Sequence, residues 1–147
     1  MALTKADIVA LPDGTVNDLA AEQVLGWMRA GGLSIGENAS ISTDEAWLEA
    51  ATLSTVTRAD GSTVQVPSYL VHPRAQMPDF VTGVWPLAIM RRMAARGLRM
   101  IFQAAGNGYA CAFVLPTATS AEILAASVTA ATVADAIRRA ALLAVQA

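Results

Sequence analysis

The stretch LRMIFQAAGNGYACAFVLP, residues 98–116, decides the fold. Leu98, Met100 and Phe102 alternate with Arg99, Ile101 and Gln103, the two-residue period of a strand. Gly106-Asn107-Gly108 then provides residues that tolerate the positive φ of a tight turn, and Tyr109 to Leu115 returns as a second strand ended by Pro116. An isolated hairpin is marginal in water, so the segments around it must cover it.

Those segments read as helices. WPLAIMRRMAARGL, 85–98, places Pro86 at a first helical position and Gly97 at the exit, with Ile89, Met90, Met93 and Ala94 on one side and Arg92, Arg96 and Arg99 near the other. Beyond the hairpin, Thr132 and Asp135 cap VADAIRRAALLAV, whose Val133, Ile137, Ala141, Leu142 and Val145 form a helical stripe. Between them TSAEILAASVTAA, 119–131, opens with its own Thr119/Glu122 capping spacing and also reads as helical. Upstream, TKADIVALP predicts a short helix capped by Thr4 and Asp7 and stopped at Pro12. TVNDLAAEQVLGWMRAGG predicts a longer one, with Asn17 as N-cap, Gly31-Gly32 as the stop, and Ala20, Ala21, Val24, Leu25, Trp27 and Met28 on its apolar side.

From 33 to 80 loops are expected to dominate. Within that region LSTVTRADGSTVQVP predicts strands near 53–58 and 63–66 about an Asp60-Gly61 turn. STDEAWLEA, with Ser42 and Glu45 in capping-box spacing, predicts one or two helical turns. Two hairpins that join into one small, mainly antiparallel sheet, covered by three main helices, make an α+β fold: an α/β/α layered sandwich in one domain over 1–147.

Composition agrees. Of 147 residues, 54% are hydrophobic and 15% charged, which excludes a disordered tail. No apolar run reaches the ~20 residues of a membrane span. The start, MALTKADIVALPDG, has an acid inside its apolar stretch, and Cys111 has no second cysteine to pair with, so a cytoplasmic protein without a multi-cysteine zinc site is expected. Net charge is −2, but residues 1–80 hold four basic and ten acidic side chains, and 81–147 hold six and two. The two halves are expected to pair with each other or with a second copy.

DLAAEQVLGW at 18–27, PDF at 78–80 followed by WPLAIMRRMAARG, and TVADAIRRAALLAV at the end resemble the phage ABA sandwich domain, a small family of bacteriophage and prophage proteins. The resemblance spans most of the chain. It implies an α/β/α sandwich of phage or prophage origin in a bacterial host cytoplasm, and brings no catalytic residues with it.

GLSIG, 32–36, has the spelling of a hydrolase nucleophile elbow, but a helix rather than a strand precedes Ser34, and His72 comes before Asp79, the reverse of the hydrolase order. His72 is a lone imidazole in a loop. Asp44, Glu45 and Glu49 are acids at a predicted helix start, where the helix dipole alone accounts for them. Gly106-Asn107-Gly108 joins two strands and lacks the helix a phosphate loop needs. Cys111, alternating with Tyr109 and Phe113, reads as a buried apolar thiol. Arg91, Arg92, Arg96 and Arg99 remain as a basic cluster able to contact phosphates. The expectation is a protein that is not an enzyme and needs no metal or cofactor, acting through protein contacts as a homo-oligomer or with another protein partner. Its alanine-rich composition, with Trp47 and Trp85 as exposed candidates, points that way. A nucleic-acid-binding factor that uses the Arg91–Arg99 helix is the alternative, and no membrane association is expected.

Overall fold

A computed structural model describes residues 2–29, 33–36, 39–41, 46–73 and 79–146. The chain is α+β, with five α-helices and antiparallel sheets among the described residues. It forms two compact units: Met1–Leu25 with Pro78–Ala147, and the intervening Gly26–Met77. Among the described residues no helix is long and apolar enough to cross a membrane.

In the first unit, α1 (Lys5–Ala10) begins as its sequence predicts: Thr4 Oγ1 accepts from the Asp7 amide, and the Asp7 carboxylate accepts from the Thr4 amide. The next helix differs from expectation. α2 (Asp13–Leu19) starts four residues earlier than Asn17, directly after Pro12, and runs into a π-helical turn, Ala20–Val24. The fixed φ of proline suits a helix start, so Asn17 lies inside α2 and its side chain accepts from Arg138 instead of capping. Gly26, at φ 74, ends this helix well short of the expected Gly31-Gly32, which lie outside the described residues. Ala20, Ala21 and Val24 are buried as the pattern requires, whereas Trp27 and Met28 fall beyond the helix.

The 98–116 hairpin forms as read: β6 (Arg99–Ala105) pairs with β7 (Gly108–Val114) from Arg99↔Val114 to Ala105↔Gly108, around a turn with Gly106 at φ 58. Its third strand was not anticipated. β8 (Val128–Ala130) pairs with β7 where helix was expected to continue, because α4 (Ser120–Ala126) stops at Ser127. The crossing is close: a Cβ on Gly108 would lie 2.4 Å from the Ala130 carbonyl oxygen. The sheet order is β6-β7-β8, and Ala110 to Val114 are buried without interruption, which requires cover on both faces of β7. α5 (Val133–Ala144), capped by Thr132, and α4 both pack on β7, while α3 (Trp85–Ala95) packs on α5 and β6. Ile8, Val16 and Leu142 form a core cluster joined by Leu3, Leu11, Leu19, Leu143 and Val145.

α5 carries two buried arginines in addition to its apolar stripe. Arg138 and Arg139 are only 2% and 7% exposed. Arg138 donates to Asp13, Asn17, Asp135 and the Asp79 carbonyl; Arg139 donates to Asp13, Asp135 and the Ile8 and Leu11 carbonyls that close α1. Of the expected charge pairing between the two halves, these side chains show one acid of the first half, Asp13, besides Asp135 of their own helix. Asp79, held below the usual carboxylate range mainly by the Val81 amide, also accepts from the Thr82 amide and hydroxyl. The adjacent Phe80 takes a positive φ of 60 while fully buried, its ring edge-on to Trp85 at 5.3 Å.

The second unit replaces the expected loops by strands. β1 (Met28–Arg29), β4 (Ala46–Thr57) and β5 (Thr63–Pro73) form one sheet in the order β1-β4-β5, and β2 (Leu33–Gly36) pairs with β3 (Ala39–Ile41). The Asp60-Gly61 turn is where it was predicted, with Asp60 accepting from Ser62 and Gly61 at φ 86. The strands it joins are far longer than 53–58 and 63–66. Pro67 and Pro73 sit within β5, which among the described residues pairs with β4 and lies at the edge of its sheet, where proline is tolerated. The helical turns expected at 42–50 are strand from Ala46 onward, with Asp44 and Glu45 outside the described residues. The two hairpins therefore belong to separate sheets instead of joining into one.

Candidate functional site

Ser34 lies within β2, opposite Ser40 of β3, with a bulge before Gly36. A nucleophile elbow needs a sharp strand-to-helix turn, and this backbone is a strand paired with its neighbour. His72 is not in a loop: it sits on β5 opposite Trp47, and Glu49 on β4 is its diagonal neighbour on the same face. His72 Nε2 lies 2.8 Å from Glu49 Oε2, and the imidazole stacks on Trp27 with centroids 4.1 Å apart and planes 2° from parallel. His72 and Glu49, 23 residues apart in sequence, are thus one contact, created by the register of β4 on β5. It joins two strands of one sheet through the His72–Glu49 contact, and the ring stack adds Trp27, the residue just before β1. Trp47 is buried, correcting its expected exposure, and Trp85 is partly buried against Phe80.

Cys111 is fully buried at the centre of β7, and burial pushes its thiol up to about 12. A thiol held this far from ionisation is a poor nucleophile. Gly106-Asn107 is a two-residue strand turn.

The basic cluster divides. Arg96 donates to the Gln23 and Val24 carbonyls, satisfying acceptors at the end of the π-helical turn. Arg91, Arg92 and Arg99 are exposed and form no ion pair among the described residues. Arg91 and Arg99 rim an apolar hollow of about 350 Å³ between α3 and the start of β6, floored by Leu98, Met100 and Phe113. Leu98 and Phe113 also line a second, larger hollow of about 490 Å³ that continues past Leu115 to α4 and α5, where Glu122 stands at its edge. One apolar strip therefore runs across this end of the sheet. Leu87, Met100 and Leu115 are exposed along it, Leu115 at 58%.

The strip exists because of how three elements meet. β6 is an edge strand with most of its side chains exposed, α4 buries none of its residues, and the chain leaves β7 through Leu115-Pro116 without covering what it passes. Periodicity assigned Met100 to an apolar strand face but could not show that the face stays open. A third hollow, about 280 Å³, lies beside Asp13, Asp79, Asp135 and Arg138, whose carboxylates serve the buried arginine or the Asp79 turn. Among the described residues no group of three or more His, Cys, Asp or Glu is placed to hold a metal ion.

Comparison with known proteins returns no match from family models, from curated proteins or from solved structures.

Proposed function

We propose that this chain is a non-enzymatic accessory protein of a phage or prophage that acts through protein contacts, first among them contacts between its own copies. The observation that carries the reading is the apolar strip from Leu87 to Leu115, open to solvent and flanked by Arg91, Arg99 and Glu122, exposed charges that form no ion pair among the described residues. Contiguous exposed apolar surface with a polar rim marks interaction sites on folded proteins, since exposing it to water is unfavourable. The phage origin rests on the three sequence segments that resemble the phage ABA sandwich family. Sedimentation velocity of the full chain from micromolar to near-millimolar concentration tests the reading: the weight-average sedimentation coefficient rises with concentration. A coefficient that stays at the monomer value throughout refutes it.

One observation favours a second reading. Arg91, Arg92 and Arg99 are exposed and form no ion pair among the described residues, so nucleic acid binding would run through these three, with Arg96 spent on carbonyls. Binding of duplex or single-stranded DNA that weakens steeply with salt, and weakens again in Arg91→Ala, would support it; absent or salt-independent binding would reject it.

A further inference from the structure

We propose that β6 is an interface strand: two copies of this chain pair edge to edge along it, antiparallel about a two-fold axis beside Phe102, so that their β6-β7-β8 sheets merge into one. The inference rests on the reading that the protein associates with its own copies, and it names the edge and the register.

The backbone of β6 points to the occupant. Among the described residues its one neighbour is β7, and the pairing runs from Arg99 to Ala105 without a bulge. Gly106, at φ 58, heads a two-residue turn closed by Ala105↔Gly108. The pair that closes such a turn exchanges ladder bonds, and these alternate along an antiparallel strand. Ala105, Gln103, Ile101 and Arg99 therefore bond to β7, while Ala104, Phe102 and Met100 turn their N–H and C=O groups outward. This outer row has no partner among the described residues. Folded chains blunt such an edge with proline, lysine, a bulge or brevity. This chain does so elsewhere: β8, the opposite edge of the same sheet, has 3 residues, and β5 carries Pro67 and Pro73. β6 has 7 residues, none of these devices, and most of its side chains exposed.

A second β6 supplies the same row at the same spacing. An axis beside Phe102 pairs the whole strand, setting Met100 against Ala104 and Phe102 against its own copy, large side chains at the centre and against small ones. It also separates the only charge of the strand: each Arg99 lies opposite Ala105 of the other copy, and the two arginines stand about 20 Å apart. Moving the axis to Ile101 or Gln103 shortens the ladder. The same edge is used on both copies and β8 is short, so the assembly closes at two.

Cysteine substitutions in the full chain test the register, with Cys111 buried and out of reach. Under mild oxidation Phe102→Cys is expected to give a disulfide-linked dimer. Met100→Cys and Ala104→Cys, each alone, are expected to cross-link at least about tenfold less, because their own copies lie about 14 Å apart, and an equimolar mixture of the two to link as a heterodimer. Ala104→Pro removes an outward N–H without taking a bond from the β6–β7 ladder. Its thermal melting is expected to stay near that of the wild type while its self-association, measured by sedimentation equilibrium, weakens at least about tenfold. Self-association unchanged in Ala104→Pro, or cross-linking indifferent to position, overturns the edge as the interface and leaves the reading of a self-associating protein in place. A wild type that stays monomeric to near-millimolar concentration removes both. Capture of a foreign extended peptide by a monomeric wild type, lost in Ala104→Pro, assigns the edge to another chain and overturns the proposal.

Discussion

Replacing Arg139 by alanine should uncouple the N-terminal helix from α5. The side chain is 7% exposed and donates from every nitrogen: Nε to Asp135 at 3.0 Å, Nη2 to Asp13 at 3.0 Å, and Nη1 to the Ile8 carbonyl at 2.6 Å and the Leu11 carbonyl at 3.1 Å. Truncation strips the Leu11 carbonyl of its donor, leaves the Ile8 carbonyl with only the Leu11 amide at 3.3 Å, and opens space in a packed site. Loss of a buried hydrogen-bonded charge of this kind costs about 3–5 kcal/mol. For a chain of this size that is a fall in Tm of about 10–15 °C. Arg139→Lys should recover less than half of the loss, because one ammonium cannot span two carboxylates and two carbonyls lying in different directions. Asp13→Asn should cost far less than Arg139→Ala, since the Asp13 side chain is 77% exposed and water replaces what it gives up. Urea unfolding followed by far-UV circular dichroism measures the difference, and amide exchange locates it: residues 5–11 should lose protection first. An Arg139→Ala protein within about 1 kcal/mol of wild type, or one whose α1 amides stay protected, would refute this account of what holds α1.

Acid should destabilise the first unit in a defined window. The Asp13 carboxyl is lowered by its hydrogen bonds and charge pairing with Arg138, and Asp79 by the Val81 amide. Depressed carboxylates contribute stability that is complete above their unfolded value near 4 and lost as pH falls through the folded value, so unfolding free energy should be flat above about pH 5 and decline below pH 4; Asp79→Asn should flatten the decline, and no change in its slope would remove the Asp79 part of the argument. Cys111 should resist iodoacetamide at neutral pH until urea unfolds the chain, its thiol being buried and pushed up to about 12; rapid alkylation of the native protein would contradict its placement. Gly108→Ala should destabilise by about 2 kcal/mol, more than Gly106→Ala at about 1 kcal/mol, because the first drives a Cβ into the backbone of β8 and the second only strains a turn at positive φ; the reverse ranking in urea would mean that β8 does not lie against Gly108.

What the sequence determined by itself is what neighbours in the chain decide. Thr4, Thr119 and Thr132 each accept from the amide three residues on, as their spacing foretold. Gly61 and Gly106 turn the two hairpins at positive φ, and Gly97 follows α3. Cys111 is buried as its alternation with Tyr109 and Phe113 foretold, although Ala110 and Ala112 on the opposite face are buried as well. These are short-range effects, set by capping, turn chemistry and period. Tertiary structure decided the rest. Whether Pro67 ends a strand or sits within one depends on whether that strand is an edge, which depends on its partners. Whether Val128–Ala130 continues a helix depends on an open side of β7 that no local pattern reveals. Arg138 and Arg139 occupy positions that suit a solvated face, and they are buried because Asp13, Asp135 and the end of α1 converge on them from over a hundred residues away as well as from their own helix. The candidate surface belongs to this second class. Leu87, Leu98, Met100 and Leu115 are ordinary apolar residues in sequence, and they share one open strip only because a strand edge, a loop and a short helix end at the same place.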